Sequence, residues 1–163
     1  MAGTAFPASP GRRGGAPLRL GAQLEFMRLL WAIDHGLQTR SKRMAAKLGI
    51  TGPQRLVVRI VGRFPGISAG ELARILHLDP STLTGILRRL EHAGLLSRGR
   101  DRRDRRRAVF VLSATGRRLD VVTAETIESA MRDVLRKLPK RELEATRKVL
   151  GAIAEGLGED PAT

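Results

Sequence analysis

Seven arginines fall within positions 98–107, and these side chains are the ones best suited to bind another molecule. They are Arg98, Arg100, Arg102, Arg103, Arg105, Arg106 and Arg107. Apolar residues at 95–96 and apolar, partly β-branched residues at 109–112 flank them, a pattern typical of two antiparallel strands. We therefore expect a hairpin, or wing, whose charged tip projects into solvent and binds a polyanion, with nucleic acid the obvious one. A flexible, solvated run of charge is the alternative.

Two acidic residues, Asp101 and Asp104, interrupt the arginines. Acidic groups near a phosphate-binding surface weaken binding unless they orient a neighbouring arginine. A carboxylate can orient a guanidinium group through bidentate hydrogen bonds. Asp104 and Arg106 are two residues apart, so on an extended segment both side chains leave the same face. We predict that Asp104 orients Arg106 and that Arg106 enters a narrow minor groove, where the negative potential is enhanced. Arg98 and Arg105 are further predicted DNA contacts.

Residues 80–93, just upstream, predict a helix with two different faces. Apolar residues recur at i, i+3, i+4 and i+7 and must pack inward: Leu83, Ile86, Leu87 and Leu90. A helix in the major groove reads bases mainly from its first turns, where short hydroxyl side chains suit base edges and phosphates. An ordinary solvent face is the alternative. Beside the arginine hairpin, we expect DNA contact through Ser81, Thr82, Thr84, Gly85 and Arg88.

The elements before this helix supply its support. An apolar stripe predicts a helix over 18–48 that ends at Gly49. Capping boxes at Thr51 and Ser68 begin helices at about 52–64 and 69–76, and Asp79 caps the helix at 80–93. Two short, well-capped helices joined by a tight turn and followed by a basic hairpin are typical of a winged helix-turn-helix.

After the hairpin, Ser113 caps a helix whose inner face runs from Leu119 to Leu138, and a final helix follows Pro139. We therefore expect a mainly α fold with a small β-hairpin wing. Residues 51–112 form the winged helix-turn-helix, and 18–50 with 113–158 form a helical dimerisation region. Residues 1–17, rich in Gly and Pro, are expected to be a disordered basic tail.

Charge and composition restrict the function. The formal net charge is +14, and residues 52–112 carry thirteen arginines against five acidic residues, whereas residues 113–163 are neutral. Aromatic residues are scarce, which argues against a single-strand reader that stacks bases. Without cysteine, thiolate and disulfide chemistry is excluded. Three scattered histidines do not form a metal site, and no catalytic motif is present. We expect no cofactor, no enzyme activity, no membrane span and a cytoplasmic protein, associated with the nucleoid when bound to DNA.

Two stretches resemble the MarR family of bacterial transcription regulators. Residues 81–98 are similar to the family's recognition helix and first wing strand. The run Asp101-Arg102-Arg103-Asp104-Arg105-Arg106, continued through Val111-Leu112-Ser113-Ala114-Thr115-Gly116, resembles its wing signature. Ser113 stands where the family usually has Thr, and Arg102 where it often has Pro.

The resemblance implies an obligate homodimer that binds a pseudo-palindromic site on double-stranded DNA, and we expect a repressor. The dimer helices would be the first and the last two, with these apolar residues at the interface: Leu20, Leu24, Met27, Leu143, Leu150 and Ile153. Many members of the family release DNA when a small aromatic or phenolic anion binds.

Candidates for such an effector pocket are Trp31, His35, Arg55 and Arg59. Trp31 could stack on an aromatic ring and an arginine could pair with a carboxylate, although a tryptophan at helical spacing is more often part of the core. The alternative to a specific regulator is a non-specific architectural protein that coats nucleic acid. That alternative predicts a steep salt dependence with little sequence preference.

Overall fold

The computed structural model describes residues 20–158, which form seven α-helices and three short β-strands. In chain order they are α1 (Ala22–Leu48), α2 (Gly52–Arg63), β1 (Ile67–Ser68), α3 (Ala69–Leu76), α4 (Pro80–His92), β2 (Leu96–Arg100), β3 (Ala108–Leu112), α5 (Ala114–Leu119), α6 (Ile127–Leu135) and α7 (Lys140–Gly158). This is the mainly helical fold with a small wing that the sequence predicts. The tail at 1–17 lies outside the described residues.

The chain divides into two compact units between His35 and Gly36. In the first unit, α1 carries an exposed ion pair in which Arg28 Nη2 lies 2.5 Å from Glu25 Oε1. The hydrogen bond from Arg28 holds the pKa of Glu25 below its usual value. Most of the apolar stripe predicted for this segment is exposed to solvent, and Leu30 is half-buried. Across residues 20–158 no helix has the length and apolar character that a membrane crossing requires.

The core of the second unit joins the helix-turn-helix to the sheet. Val57, Val58 and Val61 of α2 pack with Leu72 of α3 and Phe110 of β3, among other buried apolar side chains. The inward face predicted for α4 is confirmed, because all four of its leucine and isoleucine side chains are at most 5% exposed.

Local capping sets where these helices begin. The Thr51 amide donates to Gln54 Oε1 at 3.0 Å, and the Ser68 amide donates to Glu71 Oε2 at 2.9 Å. These bonds satisfy amides at the helix N-termini that have no partner within the helix. Gly49 ends α1 with a φ of +67°, a conformation that favours glycine. The predicted starts of α2 and α3 and the predicted end of α1 are therefore confirmed.

The sheet contains one strand more than the hairpin. β2 pairs antiparallel with β3, and β1 adds to the other edge of β3 with Ile67 opposite Phe110 and Ser68 opposite Val109. Sequence patterning missed β1 because two residues between a Pro-Gly turn and a capping box show no alternation.

The single helix expected between Ser113 and Leu138 is wrong. The structure has the short helix α5, an irregular segment, and then α6. Two arginines of α2 contact the chain at the break. The guanidinium group of Arg55 donates to the Leu119 and Val121 carbonyls, and that of Arg59 donates to the Asp120 carbonyl. These bonds hold the segment that follows α5 against α2, at the point where the helix ends.

Candidate nucleic-acid interface

The outer face of α4 presents short polar side chains. Ser81, Thr82, Thr84 and Arg88 are exposed, and Gly85 is half-buried. The N-cap residue Asp79 accepts hydrogen bonds at Oδ1 from the Ser81 amide at 2.7 Å and from Ser81 Oγ at 2.5 Å. The Ser81 hydroxyl is the main reason why the pKa of Asp79 lies below its usual value. The carboxylate therefore stays ionised at neutral pH and holds the start of the helix.

These bonds decide what each hydroxyl has left to offer. Ser81 donates its proton to Asp79, and Thr84 Oγ1 donates to the Pro80 carbonyl at 2.7 Å. Both oxygens keep lone pairs for an outside donor. Thr82 has no side-chain hydrogen bond within residues 20–158 and so has a free proton as well as a free oxygen. The face thus combines two acceptors, one donor–acceptor group and a cation at Arg88.

The wing arginines of β2 share one face of the sheet. Arg98 lies opposite Phe110 and Arg100 lies opposite Ala108. Directly opposed residues of an antiparallel pair point to the same side, and residues two apart on a strand do so too. Arg98 and Arg100 therefore lie on the same face of the sheet as the core residue Phe110, and Arg100 is the nearer of the two to the tip.

The loop between the strands is held by its aspartates. Asp101 Oδ1 accepts from the Arg103 amide at 2.7 Å and from the Asp104 amide at 3.2 Å, and Asp104 Oδ1 accepts from the Arg106 amide at 3.0 Å. Backbone hydrogen bonds join the Asp101 amide to the Arg107 carbonyl and the Arg107 amide to the Asp104 carbonyl, each at 3.0 Å. The Arg103 amide is the main cause of the lowered pKa of Asp101.

The bidentate pair expected between Asp104 and the Arg106 guanidinium is not formed. Asp104 does bond to Arg106, but at its backbone amide, because a short carboxylate reaches the amide two residues on and forms an Asx turn. Asp104 consequently shapes the loop rather than the arginine side chain. The predicted DNA contacts of both residues stay predictions.

The wing carries an arginine-lined cleft of about 650 Å³, bordered by Arg98, Gly99, Arg100, Arg105, Arg106 and Ala108. Four of its six lining residues are arginines and none is acidic, so the cleft has a positive charge. A second cleft of about 460 Å³ is bordered by Gly66, Arg100, Asp101, Arg102, Arg103 and Val109. Both are chemically suited to anions, and phosphate is the anion that guanidinium groups match in bidentate geometry.

The residues predicted to bind an effector have other contacts or are exposed. Arg55 is 2% exposed, and its Nε also donates to Glu128 Oε1 at 2.9 Å. Arg59 pairs with Asp120 Oδ1 at 2.6 Å. These guanidinium groups serve the fold, and an anion would have to compete with the groups they already bind. Trp31, which is 65% exposed, and His35 belong to the first unit, and the effector site stays a prediction.

The apolar residues predicted to form the dimer interface have little cover within the chain. Leu20, Leu24, Met27 and Leu150 are exposed, and Leu143 and Ile153 are half-buried. Helix α7 has no fully buried residue at all. Among residues 20–158 no cluster of three or more metal-ligating side chains occurs.

Comparison with known proteins agrees with this geometry. A MarR family model matches residues 50–108. The HTH-type transcriptional regulator TtmR of Methylorubrum extorquens (strain PA1) is 36% identical over 103 residues, which cover 63% of this chain and about half, 52%, of that protein. The HTH-type transcriptional repressor Rv2887 of Mycobacterium tuberculosis (strain ATCC 25618 / H37Rv) is 29% identical over 132 residues, which cover 81% of this chain and 92% of that protein.

The crystal structure of the S. aureus MepR-DNA complex has a TM-score of 0.67 to this chain at 21% identity, covering 81% of this chain and 97% of that one. The fold is that of a winged helix-turn-helix protein, and the two sequence relatives carry the names of HTH-type transcription regulators. The chain is therefore similar to the MarR family over residues 50–108, and to HTH-type transcription regulators over a longer stretch.

Proposed function

We propose that this protein is a homodimeric repressor that binds a pseudo-palindromic operator in double-stranded DNA. The observation that carries the proposal is the pairing, within one compact unit, of an exposed polar face on α4 with an arginine-lined cleft on the wing. Helix α4 packs against β2 at the root of the wing, so the two surfaces are fixed to one support. The relative in M. tuberculosis is named a repressor, and MepR was solved with DNA.

In this proposal α4 lies in the major groove and the wing reaches the adjacent minor groove. Thr82 and Arg88 face base edges, whereas the oxygens of Ser81 and Thr84 accept hydrogen bonds from bases. The arginines of the wing neutralise phosphates and enter the minor groove. Two-fold symmetry then places two half-sites about one helical turn apart. Such a regulator would act in the cytoplasm, on the nucleoid.

The dimer part of the proposal rests on the exposed apolar residues of α1 and α7. Large apolar patches on a chain surface commonly mark a protein interface. Leu24→Arg or Leu150→Arg should convert the dimer into monomer in analytical ultracentrifugation. Ile75→Arg, which places the same charge on an exposed apolar position of α3, should remain dimeric. A monomeric wild-type protein at micromolar concentration would refute this part.

A small aromatic or phenolic anion as effector is part of the same proposal, with Trp31 available to stack on a ring. Arg55 and Arg59 would have to exchange their present partners for the anion. Release of labelled operator by a panel of aromatic carboxylates and phenols measures this directly. If Trp31→Ala responds to every active compound as the wild type does, Trp31 is not part of the effector site.

Footprinting on the DNA upstream of the protein's own gene tests the whole proposal, with random duplex as competitor at two salt concentrations. A repressor of this kind protects a two-fold site that survives the competitor. Arg106→Ala should weaken operator binding by about 1–3 kcal/mol, the scale of one lost specific contact. Arg136→Ala, a matched exposed arginine outside the wing, should change little. Uniform coating that salt and competitor remove equally would assign the protein to the architectural class instead.

A further inference from the structure

Arg107 behaves differently from the other six wing arginines. It is the last residue before β3, and its Nη2 donates to Ser68 Oγ at 3.0 Å and lies 3.5 Å from Glu71 Oε2. The remaining six arginines of the wing make no side-chain hydrogen bond or ion pair with any residue in 20–158. Six guanidinium groups are therefore free for an outside anion, whereas the seventh is turned back onto the protein.

The partners of Arg107 are themselves a fixed pair. Ser68 Oγ donates to Glu71 Oε2 at 2.5 Å and accepts from the Glu71 amide at 3.3 Å, which leaves one lone pair of Ser68 Oγ for Arg107. The Ser68 hydroxyl and amide, with smaller contributions from Arg107 and Arg74, hold the pKa of Glu71 below its usual value. Glu71 is therefore ionised at neutral pH and attracts the guanidinium.

The place of this contact gives it a mechanical consequence. Ser68 pairs with Val109, and β1 ends there, so only β2 and β3 continue from this point to the tip of the wing. A two-stranded ribbon is marginal by itself and twists readily. The bond from Arg107 joins this ribbon to the N-terminus of α3 at the same boundary.

We propose that Arg107 is a positioning residue for DNA reading: through Ser68 and Glu71 it sets the angle between the wing and the helix-turn-helix, so that wing and α4 engage one specific site together. This inference rests on the proposed function. The ion pair is exposed, with 49% of the Arg107 side chain and 43% of the Glu71 side chain accessible, so its share of folding stability is small. We expect its effect in specificity, measured as the ratio of the affinity for the operator to the affinity for random duplex.

Replacing Glu71 tests the inference, because a pure charge effect and a positioning effect predict opposite changes in operator affinity. By charge alone, removing a carboxylate from the DNA-binding unit strengthens binding to every DNA. Glu71→Gln keeps the capping box, because Gln can take the place of Glu in that motif, but it loses the charge attraction to Arg107.

If Arg107 positions the wing, Glu71→Gln should bind the operator about fivefold more weakly and bind random duplex equally or more tightly. Glu91→Gln is the matched control on α4 and should tighten both, since Glu91 has no side-chain partner within residues 20–158. If Glu71→Gln tightens both duplexes as the control does, the positioning role is refuted.

Arginine variants give the second arm. Arg105→Ala removes a predicted phosphate contact, so it should weaken both duplexes and reduce the salt dependence by about one phosphate. Arg107→Ala should weaken operator binding about tenfold without changing how steeply that binding depends on salt. Adding Glu71→Gln to Arg107→Ala should not weaken operator binding further. Equal thermal midpoints exclude misfolding. A reduced slope for Arg107→Ala would identify a phosphate contact and overturn the inference. A wild-type protein that fails to prefer its operator would overturn the proposed function as well.

Discussion

Replacing Arg55 by alanine should destabilise the protein more than any surface substitution. The side chain is 2% exposed, and its guanidinium group serves three acceptors: the Leu119 carbonyl, the Val121 carbonyl and Glu128 Oε1. Each carbonyl left without a donor costs about 1–3 kcal/mol. Glu128 loses its buried partner and keeps Arg59, whose Nε lies 3.4 Å from Glu128 Oε1, so the loss is below the cost of about 3–5 kcal/mol for a fully buried pair.

These costs do not add fully. The Glu128 side chain is 27% exposed, so water replaces part of what the carboxylate loses, and the segment that α5 and α6 enclose can relax. We expect a net loss of about 3–5 kcal/mol in the free energy of unfolding. That is a large share of the ~5–15 kcal/mol that a domain of this size has.

Urea unfolding followed by far-UV circular dichroism measures the loss, at one fixed protein concentration so that any self-association contributes equally to each variant. Arg59→Ala is the matched control on α2. The Arg59 side chain is 35% exposed, so the loss there should be about 1 kcal/mol. Arg55→Lys should restore only part of the stability, since an ammonium group cannot reach three separated acceptors in a fork. A loss below about 1 kcal/mol for Arg55→Ala would show that the three acceptors find water equally well, and the reasoning would be wrong.

Other substitutions test single contacts. Gly116→Ala should cost roughly 3 kcal/mol by overpacking, because an added Cβ would lie 2.1 Å from the Leu95 carbonyl oxygen, whereas Gly151→Ala, with open space around it, should add about 0.5–1 kcal/mol. Ser113→Ala should cost about 1–2 kcal/mol in urea unfolding, since it removes the N-cap of α5. The pKa of Asp79 is lower in the folded state than its ordinary 3.8, so its contribution is complete above that pH and disappears as pH falls through the folded-state pKa. Asp79→Asn should therefore flatten the acid side of the stability curve, and an unchanged curve would contradict the assignment.

The sequence was sufficient for the features that depend on short spacing. Capping boxes at Thr51 and Ser68, the glycine at Gly49 and the inward face of α4 each involve residues at most a few turns apart, and the structure has all of them. The wing follows from the same kind of pattern. Local signals of this sort suffice because each element's own hydrogen bonds and burial already agree with the tertiary fold.

The sequence did not reveal contacts between distant segments. Arg55 shares a helical stripe with the buried Val58 and with Gly62, which would have placed it inward, but its charge favoured an exposed or ligand-binding position. Its carbonyl partners lie more than sixty residues away. The break after α5 lies at the same contacts, which the continuous apolar periodicity through 119–138 did not reveal.

The aspartates of the wing counteract the mutual repulsion of seven neighbouring arginines. Like charges so close together favour an extended, mobile loop, and an ordered loop must offset that repulsion. Asp101 and Asp104 do so by bonding to backbone amides. Their negative charge also lies within the cluster. Had they paired with guanidinium groups instead, each pair would have to break before a phosphate could bind. Because they hold the backbone, the loop is shaped while the guanidinium groups at its tip stay unpaired. With Arg107 anchored at its base, the wing presents unpaired guanidinium groups on an ordered loop, and in the proposed function this order reduces the ordering cost of binding DNA.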